Sequence, residues 1–258
     1  MSELLGEITR YRELIWALAL KDLRVRYKRS VLGFLWSLLN PLFTMIILTI
    51  VFSTVMQIAV KHYAVFLLSV LLPWTFFSQS LSYAVDSIVG NGDLLKKIHI
   101  GKSVFPLAAV LSNIINFVLS LIPLALVLLV LRFPFHWTWI YMLVPFAGLV
   151  LFTVGCGFFV AAANVFFRDV SHIVQIVLSA WFYVCPIIYS IDLLPRRYAL
   201  LFRLNPLLYI FNGFRLAIYY GLLPSLSSAL MSVGCGVGAL LLGHAVFRRY
   251  QNAFVYYV

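Results

Sequence analysis

Charge is what this chain lacks. Of its 258 residues only 10% are Asp, Glu, Lys or Arg, and just eight are acidic. Six stretches of 22 to 35 residues hold no charge at all: Ser30–Val60, His62–Val85, Ser103–Leu131, Phe133–Phe167, Val170–Ile191 and Leu216–Phe247. A bilayer core takes about 20 apolar residues per helix, so each stretch is long enough for one crossing. Most connections between them are a dozen residues or fewer, which leaves no room for a large soluble domain. The pattern predicts an all-α polytopic membrane protein with six transmembrane helices, at about 31–57, 63–88, 104–131, 140–164, 173–190 and 226–247. A mean hydropathy of +1.03 agrees.

Other absences narrow the function. Three cysteines, Cys156, Cys185 and Cys235, sit inside apolar runs at spacings that fit no metal pattern and read as packing residues. Gly101-Lys102-Ser103 looks like the end of a phosphate-binding loop, but Lys96 stands where the loop needs its first glycine and no strand precedes it. Within the six stretches the ionisable side chains of the kind that couple protons are His62, His136, His172 and His244, all near the ends, which disfavours proton coupling. No paired carboxylates, His-rich cluster or Ser/His/Asp set appears. The chain reads as a membrane protein that takes its energy from a partner.

The nineteen basic residues set topology rather than bind nucleic acid, because they cluster in short connections where anionic lipid explains them. Arg10, Arg12, Lys21, Arg24, Arg26, Lys28 and Arg29 precede the first span and hold the N-terminus in the cytoplasm, and six crossings return the C-terminus to the same side. Thirteen basic residues then lie inside and six outside. Four of the outside six fall between spans five and six. There Asn205–Pro224 is apolar but interrupted by Pro206, Asn212, Arg215 and Pro224, which predicts re-entrant helices at the external face rather than a seventh span. Residues 1–28 form a separate unit ahead of the transmembrane domain 29–258. Leu4, Ile8, Tyr11, Ile15, Leu18, Ala19 and Leu23 recur at helical spacing with charged residues between, as in an amphipathic helix on the cytoplasmic interface. No cleaved signal is expected, since about thirty mixed residues precede the first apolar run. Gly234 and Gly238, and Gly155, Gly157 and Ala161–Ala163, form small-residue faces for close helix packing, within one chain or between two.

Three passages resemble ABC-2 type permeases that export polysaccharides. Lys21–Trp36 running on to Asn40-Pro41 is similar to the family's first-span signature, Phe167-Arg168-Asp169-Val170 to its second cytoplasmic turn, and Cys185–Tyr189 with Leu194-Pro195, Asn205-Pro206 and Phe214-Arg215 to its fifth-span exit and external segment. Cys185 stands where a small polar residue such as Ser is expected. The resemblance implies a half-transporter without cofactor of its own: a homodimer driven by two copies of a cytoplasmic ABC ATPase that binds the ATP. Its cargo would be a lipid-linked polysaccharide of O-antigen, capsule or teichoic acid type, crossing the bacterial inner membrane. A drug or lipid cargo, or a non-conducting assembly role, is the alternative.

On that reading the connection Gly90–Lys102, with Lys96, Lys97 and His99, becomes the contact with the ATPase, and Arg168 and Asp169 a second one. Aromatic rings pack on the apolar faces of sugars without fixing a hydroxyl pattern, so Phe34, Trp36, Trp74, Phe76, Phe77, Trp181 and Tyr183 are candidates for the substrate pathway. Asn205, Pro206 and Arg215 are candidates for an external gate.

Overall fold

The computed structural model describes residues 2–28, 30–33, 35–55, 60–97, 100–190, 202 and 204–258. Among them helix is the sole regular structure. Two helical pieces, the amphipathic α1 (Ser2–Arg10) and α2 (Arg12–Tyr27), stand where one amphipathic helix was expected, because the backbone at Tyr11 leaves the helical region. Then come α3 (Leu35–Thr49), which widens into a π-helical end at Ile50–Val55, α4 (Tyr63–Asp86), the short α5 (Gly92–Lys97) and α6 (Val104–Val130). A 3-10 turn leads into α7 (Leu143–Phe166), followed by α8 (Val170–Val184), α9 (Pro206–Arg215) and α10 (Leu226–Tyr250).

Five helical segments are long and apolar enough to cross a bilayer: Leu35–Ser53, Tyr63–Asp86, Val104–Val130, Trp137–Phe166 and Leu226–Tyr257. The fifth of the six charge-free stretches differs from expectation. Its helix stops at Val184, and 15 residues rise only about 22 Å. Pro186 is the cause, since a proline drives the residue before it out of the helical region, and Cys185 is extended at φ −80°, ψ 138°. The leg is completed by the turn that follows. Arg168, just ahead of α8, donates to the Tyr257 carbonyl at the C-terminal end, whereas the Ile188 carbonyl accepts from the Tyr63 hydroxyl at the start of α4.

Helix α4 is the centre of the bundle, buried on nearly every side by α6, α7, α8 and α9. The expected small-residue packing is present at Gly155, and also at glycines other than those singled out. Between lipid-immersed helices close contact replaces the hydrophobic drive, and α7 and α10 meet backbone to backbone at Gly148 with Gly236 and Gly155 with Gly243. A Cβ on Gly243 would stand 1.9 Å from the Gly155 carbonyl oxygen. Gly234 and Gly238 face open space in the single chain, so they take no part in the contact between α7 and α10. The packing is within one chain.

Candidate functional site

One end of the molecule gathers the elements expected to meet an ATPase. Helix α5 buries Leu95 and leaves Asp93, Lys96 and Lys97 exposed. The turn between α7 and α8 exposes Arg168 and Asp169. The C-terminal residues join the two: Val258 lies over Gly92 so closely that no Cβ would fit, the Arg168 guanidinium donates to the Tyr257 carbonyl at 2.9 Å, and the Phe166 and Tyr257 rings meet at 4.9 Å. Lys102 donates to the Gln251 carbonyl, and burial lowers the pKa of its ammonium. The Ser103 hydroxyl donates to the Glu7 carboxylate, bringing α1 to this end as well. His99 lies outside the described residues.

The opposite end is closed by α9. Asn205 caps it, its side-chain oxygen accepting from the Leu207 amide at 3.1 Å, and Pro206 sits in the first turn where its missing N–H costs nothing. The same Asn205 oxygen accepts from the Trp181 indole at 3.3 Å, while its amide nitrogen faces the Cys185 sulfur. Arg215 is only 6% exposed and stacks 3.9 Å from the Phe66 ring centroid. It donates to the Ile187 carbonyl at 2.9 Å and, more weakly, to that of Tyr189 at 3.5 Å. The cation that interrupts this segment is thus spent on carbonyls of the turn that follows α8. A π-helical turn, Leu216–Tyr220, carries the chain on to Gly221, whose φ of +65° favours glycine and against which His136 packs. Among the described residues, the segment read as external is therefore one ten-residue helix with a wider last turn.

The aromatic candidates separate into two groups. Phe77 has no exposed surface and packs against Trp74, Phe152 and Trp181, so it is a core residue in this structure. Trp74 and Phe76 are nearly buried too, in contact with Phe211 and with Phe117 and Phe146. Trp36, 39% exposed on α3, and Tyr183, 69% exposed on α8, are the ones that face outward, with Trp181 between the two groups. Phe34 lies outside the described residues.

Two polar cavities went unread in the sequence. One of about 370 Å³ lies between α3, α4 and α6 and is lined by Arg26, Asn40, Gln79, Tyr83, Asn113 and Asn116 among others. Another, of about 610 Å³, opens beside it between α2 and α4, with Lys21, Asp22, Asp86 and Asn91 on its walls. Arg26, Ser82 and Tyr83 border both. A signal was available: Thr75, Ser78, Gln79, Ser82 and Asp86 recur every three or four residues along α4.

Comparison with known proteins places these features. The ABC-2 type transporter family matches residues 13–219. The chain is 33% identical over 260 aligned positions to the O-antigen export system permease protein RfbA of Myxococcus xanthus, covering 98% of each chain. It is 31% identical to an RfbA of Klebsiella pneumoniae, over 94% of this chain and 93% of the relative. The polysialic acid transport protein KpsM of Escherichia coli is 23% identical over 93% of this chain and 94% of its own.

Proposed function

The chain belongs to the ABC-2 type transporter family, and from that premise we propose that it is the membrane subunit of an exporter that moves a lipid-linked polysaccharide of O-antigen or capsule type across the bacterial inner membrane. The observation that carries this reading is the end-to-end match with an O-antigen export permease. Two copies form the pathway and two copies of a cytoplasmic ABC ATPase drive it. The basic end, with α5 and the Arg168 turn held together through the C-terminal residues, is where the ATPase docks. Both termini are cytoplasmic, because the excess of Lys and Arg marks that end as the inner one. Trp36 and Tyr183 front the sugar path, on the outward faces of α3 and α8. Helix α9 with Asn205, Pro206 and Arg215 is the external gate.

The test is complementation of a strain deleted for this gene, with surface polysaccharide as the readout and the neighbouring ATPase as the co-purified partner. The parent restores surface polysaccharide and stimulates its ATPase. Lys96→Glu with Lys97→Glu stays in the membrane but loses the ATPase and the export, because the reversal falls on the exposed face of α5. Normal complex formation and normal export by the double variant would remove α5 from the coupling. A parent that restores no polysaccharide would remove the export reading itself.

A further inference from the structure

The first-span signature contains one cation that neither topology nor ATPase docking accounts for. Arg26, in the last turn of α2, turns inward: its Nη1 donates to Asn113 Oδ1 at 3.1 Å, and its guanidinium carbon lies 3.8 Å from the centroid of the Tyr83 ring. Its Nε and Nη2 are buried and have no hydrogen-bond partner among the described residues. They form the side-on edge of the guanidinium, the edge that grips two oxygens of one anion. No carboxylate pairs with it among those residues. Of the acids in the adjoining cavity, Asp22 pairs with Lys21 at 3.5 Å and Asp86 accepts from Asn164 at 3.0 Å.

A second polar group in the same cavity is also unmatched. Asn116 is 8% exposed, and neither its amide nitrogen nor its oxygen has a partner among the described residues. A buried cation and a buried amide left unpaired are both costly, so each such group calls for an explanation such as a ligand. The walls of this 370 Å³ cavity carry amides and hydroxyls and no carboxylate. Its depth is informative. Tyr83 stands three residues from the end of α4, and Asn113 nine residues into α6, about 13 Å along the helix. The cavity therefore runs from that end of the bundle towards its middle, where Asn116 stands about 18 Å into α6. The α3 wall is exposed and apolar beside it at Phe43, Ile46 and Ile47.

We propose that this cavity is a phosphate-binding site within each subunit, built for the phosphoester of a membrane-embedded amphiphile. The Arg26 edge holds two phosphate oxygens, and Asn116, Asn113 and Gln79 meet the hydroxyls of the first attached sugar. A lipid chain lies outside, along α3. The inference rests on the export reading for its purpose, since a lipid-linked glycan carries a phosphate at that junction.

The purified chain in phosphatidylcholine nanodiscs is titrated with farnesyl phosphate, farnesol and inorganic diphosphate, with binding read by native mass spectrometry. Farnesyl phosphate should bind and farnesol should not. Arg26→Gln should weaken farnesyl phosphate at least tenfold, and Arg26→Lys several-fold, because Lys keeps the charge and loses the edge. Asn116→Leu, which replaces an unpaired amide by an isostere and should fold at least as well as the parent, should weaken a lipid phosphate carrying one sugar more than farnesyl phosphate itself. Inorganic diphosphate binding as tightly as farnesyl phosphate would make the ligand a free phosphate and overturn the lipid part. Equal binding by Arg26→Gln and parent, or tight binding of farnesol, would overturn the site. The two readings fail differently. Arg26-dependent binding with no glycan export sinks the export reading alone; normal export with Arg26-independent binding sinks the site alone.

Discussion

The glycine contact between α7 and α10 makes a quantitative prediction, because Gly155 and Gly243 in that contact behave oppositely to Gly234 and Gly238. A methyl group on Gly243 would be placed 1.9 Å from the Gly155 carbonyl oxygen, and one on Gly155 2.3 Å from the Ala239 carbonyl. Ordinary contact begins near about 3.5 Å, so the helices must part by roughly 1.5 Å. A gap of about 1 Å already forfeits a quarter to a half of the dispersion between facing atoms. Only backbone stands in the way, and backbone cannot step aside as a side chain can. Overpacking of this kind costs about 1–3 kcal/mol, and a chain of this size loses about 2–4 °C per kcal/mol. Gly234 and Gly238 lie on the same helix with nothing within 4 Å, and alanine there gains up to about 1 kcal/mol of helix propensity. Thermal melting of the detergent-solubilised protein should therefore drop by several degrees for Gly155→Ala and Gly243→Ala, and hold or rise for Gly234→Ala and Gly238→Ala. Equal melting of Gly243→Ala and Gly234→Ala would refute the packing argument.

Arg215→Met should loosen the outer clasp: the Ile187 and Tyr189 carbonyls lose their donor, and a hydrogen bond to a charged group contributes about 1.5–3 kcal/mol. Proteolysis between Val184 and Pro206 should speed up several-fold, with Arg215→Lys intermediate; an unchanged rate would mean that Arg215 holds nothing in place. Single cysteines at Ser227 and Asn252, near the two ends of α10 and both exposed, should react oppositely in a Cys-free background on intact cells, Ser227 with an impermeant thiol reagent and Asn252 only after lysis. Labelling at Asn252 but not at Ser227 would invert the orientation.

How much of this was legible in the sequence depended on which physical signal each feature left there. The absence of charge located every long helix to within a few residues: 63–88 against Tyr63–Asp86, and 104–131 against Val104–Val130. Hydropathy alone missed the end of α8, because one uncharged proline hardly lowers the mean of so apolar a stretch; the restriction it puts on Cys185 is a backbone effect. The glycine spacing was visible but not its face, since seven residues separate Gly148 from Gly155 and Gly236 from Gly243 just as four separate the idle pair. For the aromatics the period was sufficient and unused. Trp74, Phe76 and Phe77 are spread around α4 at about 100° per residue and cannot all face one path. Arg26 was hidden by its company, six other basic residues that explain themselves by topology. Only the fold brings it under Tyr83 and Asn113.

Helix α8 connects the two ends of the molecule in a way the other helices do not. It begins directly after Arg168, which is tied to the C-terminal residues that also cover α5. It finishes at the turn whose carbonyls are held by Arg215 of α9 and by Tyr63 of α4. Along its length only Val174 and Leu178 are buried, against α4, while α7 and α10 interlock through their backbones. Packed interfaces resist continuous deformation, so a push at the basic end is taken up where packing is lightest. At its far end α8 is tied to α4 and α9, since Trp181 packs on Phe77 and donates to Asn205, and Arg215 holds the Ile187 carbonyl just beyond it. On the export reading proposed above, that chain of contacts makes the short helix, which falls below the length of a full span, the candidate route between the ATPase face and the carbonyls that Arg215 holds.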